Sequence, residues 1–258
     1  MAKAIIPEYD EPPLSVARRC DAYYACPKDP DGKRLGPLVG YAGKYDTPKG
    51  ERQLVGDVYL NFAMMERHGA VLRYCAHMLH SRFMHREHRW LYDQATGFIG
   101  APEGGKALAA TLAMETSREY LYPEKKVTQL ASDTLREQSI LRFDRHEPML
   151  GEAYILTEDV CNNFRTTEDM IELIESYGAA VLAVVCFLNR SLEVDTEFSI
   201  GGRRFPVISI VRQPIHQYRQ DDPAVAADIA TGNVALKPKL EWARLKKAME
   251  EHRTMPAM

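Results

Sequence analysis

Two adjacent carboxylates at the end of an apolar run are the residues of this chain best suited to chemistry. The run Ala153-Tyr-Ile-Leu-Thr157 leads into Glu158 and Asp159, and a polar loop and an amphipathic helix follow. Neighbouring acids repel each other, so burial gives no folding reason for the pair. Ionised carboxylates only accept hydrogen bonds, and the paired hydroxyls of a sugar would satisfy them well. Ligands bind beyond the carboxyl ends of strands in open α/β sheets, which is where this pair is predicted to lie.

A glycine turn upstream of the acid pair could hold an anion. Residues 98–109 read Phe-Ile-Gly-Ala-Pro-Glu-Gly-Gly-Lys-Ala-Leu-Ala, a pattern typical of a strand, a turn and a helix. Gly104 and Gly105 carry no side chains, so backbone amides there could face phosphate oxygens. The alternative is a tight structural turn, which is favoured for this motif taken alone because glycine turns are common.

A basic segment lies between these two motifs. Lys125 and Lys126 precede a polar stretch, and Arg142 follows it. Positioned cations stabilise negative charge that develops on a leaving group, so these three residues are candidates for catalysis. The alternative is a solvated surface loop, the usual place for a basic cluster.

The elements that must position these residues alternate along the chain. After an irregular start with a short helix at 15–24, we predict strands at 55–62, 97–101, 119–122, 140–143, 153–160, 179–188 and 205–213, and helices at 70–92, 106–115, 168–175 and 238–252. Alternation from about residue 97 to residue 190 predicts an α/β fold with a mainly parallel sheet and helices on both faces. The predicted domains are residues 1–92, 93–215 and 216–258, packed as one globular unit.

Bulk properties exclude several classes of protein. The 258 residues are 45% hydrophobic and 27% charged, as in ordinary globular proteins. A net charge of −3 argues against sequence-independent nucleic-acid binding. No apolar stretch reaches membrane-spanning length and the amino terminus lacks a secretory pattern, so we expect a cytoplasmic protein with no membrane partner. The five scattered cysteines are expected to be reduced.

The order of these motifs resembles the type I phosphoribosyltransferases, over about residues 40 to 238. In that family an acidic pair holds the ribose hydroxyls of 5-phosphoribosyl-1-pyrophosphate, and the next loop holds the sugar's 5′-phosphate at a helix amino end. The resemblance implies ribose binding by Glu158 and Asp159, and catalysis by Lys125, Lys126, Arg142 and Asp159. It implies 5′-phosphate binding by Asn162, Asn163, Phe164, Arg165, Thr166 and Thr167, and pyrophosphate binding by Glu103, Gly104, Gly105 and Lys106.

The phosphate loop departs from the family pattern. Residues 162–165 are Asn-Asn-Phe-Arg, where the family has threonines and glycines. Glycine permits positive φ and close backbone approach to a phosphate, and we expect Phe164 to provide neither. Asparagine tolerates the left-handed region, and Arg165 could add a charged fork to the phosphate. The loop is therefore interpreted as either remodelled or without its ligand.

Within the family, the closest resemblance is to orotate phosphoribosyltransferase. Residues 38–44, Leu-Val-Gly-Tyr-Ala-Gly-Lys, resemble the base-contacting turn of that enzyme's hood, which implies base contacts by Ala42, Gly43 and Lys44 and a hood built from the amino- and carboxy-terminal segments. The implied reaction joins a nucleobase, orotate first, to the phosphoribosyl group, with Mg²⁺ held mainly through substrate oxygens and no protein ligand assigned to it. The resemblance also implies a homodimer. The alternatives are a phosphoribosyltransferase for another base and a non-catalytic phosphoribosyl-binding or regulatory homologue.

Two further signals are interpreted as structural. His77, His80, His85 and His88 crowd one predicted helix but lack a completing ligand, so we expect surface or interface histidines rather than a metal site. Cys161 follows the acid pair, whose charges would raise the pKa of its thiol, so we expect packing rather than nucleophilic chemistry.

Overall fold

The computed structural model describes residues 4–48, 50–129 and 138–252. Its elements follow one another along the chain in this order: α1 (Pro13–Arg19), β1 (Tyr23–Ala25), β2 (Leu38–Thr47), β3 (Gly50–Gly56), β4 (Val58–Leu60), α2 (Phe62–Glu66), α3 (Gly69–Phe83), α4 (Arg89–Gln94), β5 (Gly97–Gly100), α5 (Gly105–Thr116), β6 (Glu119–Leu121), β7 (Glu124–Gln129), β8 (Gln138–Arg142), β9 (Ala153–Cys161), α6 (Arg165–Ser176), β10 (Ala180–Asn189), β11 (Glu197–Ile200), β12 (Arg203–Arg212), α7 (Ala226–Ala230), β13 (Val234–Ala235) and α8 (Trp242–Glu251).

The chain forms two compact units. The first comprises Glu66–Gln213 together with the residues up to Pro13, and the second comprises Leu14–Met65 and the residues from Pro214 onward. The first unit therefore takes in residues 66–92 along with the sheet. The three-part division predicted from the sequence stays a prediction.

A six-stranded sheet organises the first unit. Its strand order is β11-β12-β10-β9-β5-β6, and each neighbouring pair is parallel except β11 and β12 at one edge. The central strand β10 is apolar and buried along most of its length, as expected of a parallel strand covered on both faces. The carboxyl ends of β5, β9 and β10 consequently meet at one edge of the sheet.

Helices cover both faces of this sheet. On one face, Tyr154 and Leu156 of β9 join a buried cluster with Met170 and Ile174 of α6. On the other face, Phe98 of β5 packs on Phe83 of α3 with ring centroids 6.1 Å apart, and α5 contacts α3, β5 and β9. The predicted α/β fold, with a mainly parallel sheet and helices on both faces, is confirmed.

Helix α6 is the element that best follows its sequence signal. Its buried residues Thr167, Met170, Ile171 and Ile174 recur at helical spacing along one side. Gly178 follows the helix with φ +77° and donates its N–H to the carbonyl of Glu175. Glycine takes this left-handed conformation without steric cost, so the chain can turn back into β10.

Several predicted boundaries were wrong. The strand predicted at 55–62 is divided between the end of β3 and β4, and helix α2 begins at Phe62. The helix predicted at 70–92 ends at Phe83 and resumes at Arg89, because the intervening Met84-His-Arg-Glu-His88 offers no buried apolar anchor. The helix predicted at 15–24 ends at Arg19, since Asp21 takes a left-handed φ of 53° and the following residues form β1. Residues 38–47, expected to be irregular, form strand β2.

The second unit joins the amino- and carboxy-terminal segments. Strand β2 pairs antiparallel with β3 and parallel with β13, which lies near the end of the chain. Lys246 of α8 makes an ion pair with Asp21 at 2.7 Å. Residues 14–65 therefore fold together with residues 214–252.

Within the described ranges, the helices are too short or too polar to cross a lipid bilayer.

Candidate functional site

The acid pair lies within β9, near its carboxyl end. The strand ends at Cys161, one residue beyond the predicted end at Val160. Consecutive side chains of a strand point to opposite faces. Glu158 therefore shares the α6 face with Leu156 and is 8% exposed, whereas Asp159 points to the α5 face and is half-buried.

The environment of Glu158 favours the protonated form of its carboxyl group. Burial raises the pKa of the Glu158 carboxyl well above its usual range, and the charge of Asp159 raises it further. Asp159 accepts a 2.8 Å hydrogen bond at Oδ1 from the N–H of Val160. A protonated Glu158 can donate a hydrogen bond as well as accept one, whereas the sequence suggested two ionised acceptors.

The glycine turn packs directly on the acid pair. A Cβ on Gly104 would overlap the carboxylate of Asp159, and a Cβ on Gly105 would overlap the carbonyl oxygen of Thr157. The N–H of Ala101 donates to that same carbonyl at 2.9 Å. Both glycines are therefore required by close approach to β9, and the turn and the acids form one site. The peptide bond between Pro102 and Glu103 is cis.

Lys106 supplies the positive charge at this turn. Its Nζ lies 3.1 Å from Oε1 of Glu103, whose side chain is 79% exposed. The same ammonium lies 5.1 Å from the ring centroid of Tyr122. Glu103, Gly104, Gly105 and Lys106, predicted as pyrophosphate ligands, are thus contiguous with Asp159, and their binding role stays a prediction.

The loop after β9 ends in an unusual residue conformation. Phe164 precedes α6 with φ +58°, so the expectation that phenylalanine would not take positive φ was wrong. Its ring is 3% exposed and stacks on Phe198 at 4.8 Å between centroids. This packing offsets the steric cost of the left-handed conformation, which is about 1–2 kcal/mol. A side chain in the core cannot contact a phosphate, so only the backbone of Phe164 is available for that role.

The other residues of this loop differ in their contacts and in their exposure to solvent. Asn163 accepts a hydrogen bond at Oδ1 from the N–H of Arg165 at 3.3 Å. The guanidinium of Arg165 is directed along α6, 3.4 Å from Glu168 and 3.3 Å from Asp169, rather than forming the expected fork for a phosphate. Asn162 is half-buried, Thr166 is exposed, and Thr167 is 2% exposed. The Phe164 side chain makes no hydrogen bond that caps the helix, so backbone donors of the first turn are left for other acceptors. The 5′-phosphate role of residues 162–167 stays a prediction.

The basic segment forms a hairpin of β7 and β8. Lys126 and Arg142 lie on the same face and both pair with Asp144, at 2.6 Å and 3.2 Å. Lys125 is exposed and lies on the opposite face of the hairpin, beside Leu141. Residues 130–137 between the strands fall outside the described residues. The structure therefore joins two of the three predicted cations through a carboxylate that the sequence did not single out.

The residues assigned to the base belong to the second unit. Ala42 and Gly43 lie in β2, where the register with β3 shifts between Gly40 and Lys44. Lys44 is 3.4 Å from Glu51. Base binding by Ala42, Gly43 and Lys44 stays a prediction.

Sequence reasoning missed residues that surround the predicted ones. Tyr122 and Asp144 hold the candidate cations, and Arg190 follows β10 and donates its N–H to the carbonyl of Cys161 at 2.9 Å. The signal for Arg190 was present, since a charged residue directly after a buried apolar run marks the same edge of the sheet as the acids. The sequence gives no such signal for Tyr122 and Asp144, because their contacts with Lys106 and Lys126 join residues that are distant in the sequence.

The discounted histidines and cysteine occupy structural positions. His77 lies 3.2 Å and His80 3.8 Å from the same carboxylate oxygen of Glu115. Among residues 4–48, 50–129 and 138–252, no group of three acidic, cysteine or histidine ligands is arranged to hold a metal ion. Cys161 is 3% exposed, and a hydrogen bond with Cys186, together with burial, raises the pKa of its thiol well above the usual range. The interpretation of Cys161 as a packing residue is confirmed.

Comparison with known proteins gives similarity at the level of structure. No protein-family model matches the sequence, and no curated protein matches it. The orotate phosphoribosyltransferase of Aeropyrum pernix is similar with a TM-score of 0.43 and 17% identity, over 69% of this chain and 89% of that one. The UMP synthase of Leishmania donovani is similar with a TM-score of 0.42 and 12% identity, over 81% of this chain and 39% of that one.

An adenine phosphoribosyltransferase gives a similar result. The enzyme of Trypanosoma brucei has a TM-score of 0.46 and 14% identity, over 80% of this chain and 82% of that one. All three similarities have TM-scores below 0.5 and sequence identities below 20%.

Proposed function

We propose that this chain transfers a phosphoribosyl group from 5-phosphoribosyl-1-pyrophosphate to a nucleobase. The observation that carries the proposal is the packing of the Gly104-Gly105 turn on the Asp159 carboxylate. It joins a diol-binding acid pair to an anion-binding turn at the carboxyl edge of one sheet. A sugar that carries hydroxyls and a pyrophosphate matches both.

The acid pair and the turn would hold the two ends of the reacting bond. Asp159 accepts a hydrogen bond from one ribose hydroxyl, and Glu158, whose raised pKa favours the protonated form, binds the other. The amides of Gly104 and Gly105, with the ammonium of Lys106, face the pyrophosphate. The first turn of α6 takes the 5′-phosphate through its backbone donors and the helix dipole.

The reaction then needs positioning and electrostatics but no protein nucleophile. The bond from the anomeric carbon to the pyrophosphate oxygen breaks, and the leaving pyrophosphate keeps the electron pair. A bond forms from that carbon to a nitrogen of the base. Positive charge that develops on the sugar is stabilised by ionised Asp159, and negative charge on the leaving group is stabilised by Lys106 and the basic hairpin.

The carboxylate of Asp159 also fits a hard cation. Oxygen donors suit Mg²⁺, which binds through one or two carboxylates and substrate phosphates rather than a full protein cage. Asp159 is the residue that would hold it, and the ion would neutralise pyrophosphate charge.

Orotate is the base we propose, with formation of orotidine 5′-monophosphate in pyrimidine nucleotide biosynthesis. Its support is the resemblance of residues 38–44 to the base-contacting turn of the orotate phosphoribosyltransferase hood. A homodimer and a cytoplasmic location belong to the same proposal. Adenine or another base is the nearest alternative.

A non-catalytic phosphoribosyl-binding protein is the second candidate. It is favoured by Arg165, which pairs with Glu168 and Asp169. No side-chain cation of the loop is then directed at the phosphate, and affinity would rest on backbone amides alone.

Pyrophosphate release by the purified chain, with Mg²⁺ and either orotate, adenine or no base, tests the proposal. We expect turnover with one base. Asp159→Asn should lower kcat/KM by about a hundredfold, since it removes one electrostatic contact to the transition state. Asp93→Asn at an exposed position of α4 is the matched control and should keep full activity. Binding of the activated sugar without turnover would favour the regulatory candidate, and absence of binding would reject both.

A further inference from the structure

Lys106 provides the positive charge that Gly104 and Gly105, which have no side chains, cannot provide. Gly104 lies nearest the acid pair, and any side chain there would overlap Asp159. A positive charge at the turn must therefore come from a neighbouring residue. Side chains of a helix lean towards its amino end, so Lys106, in the first turn of α5, leans towards the acid-bearing edge of the sheet.

The ammonium of Lys106 is held in place by two groups of unequal strength. Glu103 lies three residues away at 3.1 Å, but its side chain is 79% exposed, so the pair is weak. Tyr122 lies on the other side, with its ring centroid 5.1 Å from Nζ. The Lys106 side chain is only 22% exposed, and limited contact with water strengthens attraction between a cation and a ring.

The ring of Tyr122 is itself fixed by the sheet. Leu121 of β6 pairs with Ile99 of β5 in parallel register, so Tyr122 lies at the level of Gly100, where the glycine turn begins. The ring stacks on Tyr120 with centroids 5.4 Å apart and planes at 28°. Tyr122 is also followed closely by Lys125 and Lys126 of β7. It therefore stands between the turn and the basic hairpin.

We propose that Tyr122 is a positioning residue, which holds the Lys106 ammonium over the glycine turn so that the ammonium pairs with the leaving pyrophosphate. This inference rests on the proposed function. When pyrophosphate binds, its greater charge displaces Glu103 from Lys106, while the neutral ring remains as the support.

The first test measures the position of Lys106 without any ligand. Lysines of the full chain are dimethylated with ¹³C-formaldehyde, and the Lys106 signal is assigned by its loss in Lys106→Met. A cation over a ring face is shifted upfield by the ring current. We expect the shift to persist in Tyr122→Phe, which keeps the ring, and to vanish in Tyr122→Leu.

The second test measures pyrophosphate binding by calorimetry with MgCl₂. Lys106→Met should weaken binding at least tenfold. Tyr122→Leu should weaken it about 3- to 10-fold, as expected for one cation–ring contact, and Tyr122→Phe should stay within about twofold. In the Lys106→Met background, Tyr122→Leu should have no further effect.

The results that would contradict this proposal can be distinguished from one another. Equal losses for Tyr122→Phe and Tyr122→Leu, or an undiminished loss in the Lys106→Met background, would overturn the positioning role. Pyrophosphate binding without the shifted signal would overturn the role of Tyr122 alone. A shifted signal without pyrophosphate binding would overturn this inference together with the proposed function.

Discussion

Gly104 lies so close to Asp159 that a single added carbon at the glycine would overlap the carboxylate. Gly104 lies in the turn after β5, and Asp159 lies in the neighbouring parallel strand β9, 55 positions later in the sequence. Asp159 is consequently fixed between its own backbone and the glycine turn. The proposed diol-binding group and the proposed anion-binding turn therefore cannot move independently of each other.

Gly104→Ala should therefore damage the site more than the fold. The new Cβ forces Asp159 or the turn to shift, and overpacking of this kind costs about 1–3 kcal/mol. We expect at least a tenfold loss of affinity for phosphoribosyl pyrophosphate, measured by calorimetry. Gly69→Ala is the control, because a Cβ at Gly69 meets open space. Unchanged affinity in Gly104→Ala would show that the turn and Asp159 act separately.

Glu158→Gln should stabilise the protein in a pH-dependent way. Burial raises the pKa of Glu158 in the folded state above its value of about 4.3 in the unfolded chain. The folded state then binds the proton more tightly, so stability falls as pH rises from about 4 through the folded pKa. Glutamine cannot ionise, so Glu158→Gln removes this loss of stability at higher pH.

We expect Glu158→Gln to melt a few degrees above the wild type near neutral pH, since each pKa unit corresponds to about 1.4 kcal/mol. The difference should disappear as pH approaches 4. Glu172→Gln makes the same chemical change at an exposed site of α6 and should leave the melting curve unchanged at every pH. A destabilised Glu158→Gln at neutral pH would mean that the folded state needs the ionised form.

At position 164, we expect glycine to destabilise the protein less than alanine does, which reverses the usual order. Alanine would lose the stack on Phe198 and keep the strained left-handed backbone, and such Phe→Ala changes cost about 3–5 kcal/mol. Glycine would lose the same ring but relieve the strain, which is worth about 1 kcal/mol. In urea unfolding we therefore expect stability in the order Phe, Gly, Ala at this position.

Phe198 provides the matched control for that order. It is the partner of the same stack but lies in β11, where glycine is less favourable than alanine. The order at Phe198 should be Phe, Ala, Gly. An identical order at both positions would show that the backbone of Phe164 carries no strain.

The contrast between these two phenylalanines shows what the sequence could reveal. The acid-bearing strand, its helix and the buried strand β10 were predictable, because an apolar run and a 3.6-residue period are local signals. The left-handed backbone of Phe164 was not, because Phe198, 34 residues later, is what stabilises it. The acid pair and the glycine turn were each visible, but their contact depends on strand order, which is a long-range property.

Asp144→Asn should strengthen pyrophosphate binding by freeing two cations. Asp144 pairs with Lys126 at 2.6 Å and Arg142 at 3.2 Å, and both partners are about half exposed or more. Such pairs contribute only about 0–1 kcal/mol, so the stability of the fold should change little. We expect a gain in affinity of a few-fold at low salt, which should shrink at high salt because exposed charges are screened. Asp93→Asn, which frees Arg89 on α4, is the control and should leave affinity unchanged. Weaker binding in Asp144→Asn would instead show that this carboxylate orients Lys126 and Arg142 towards the ligand.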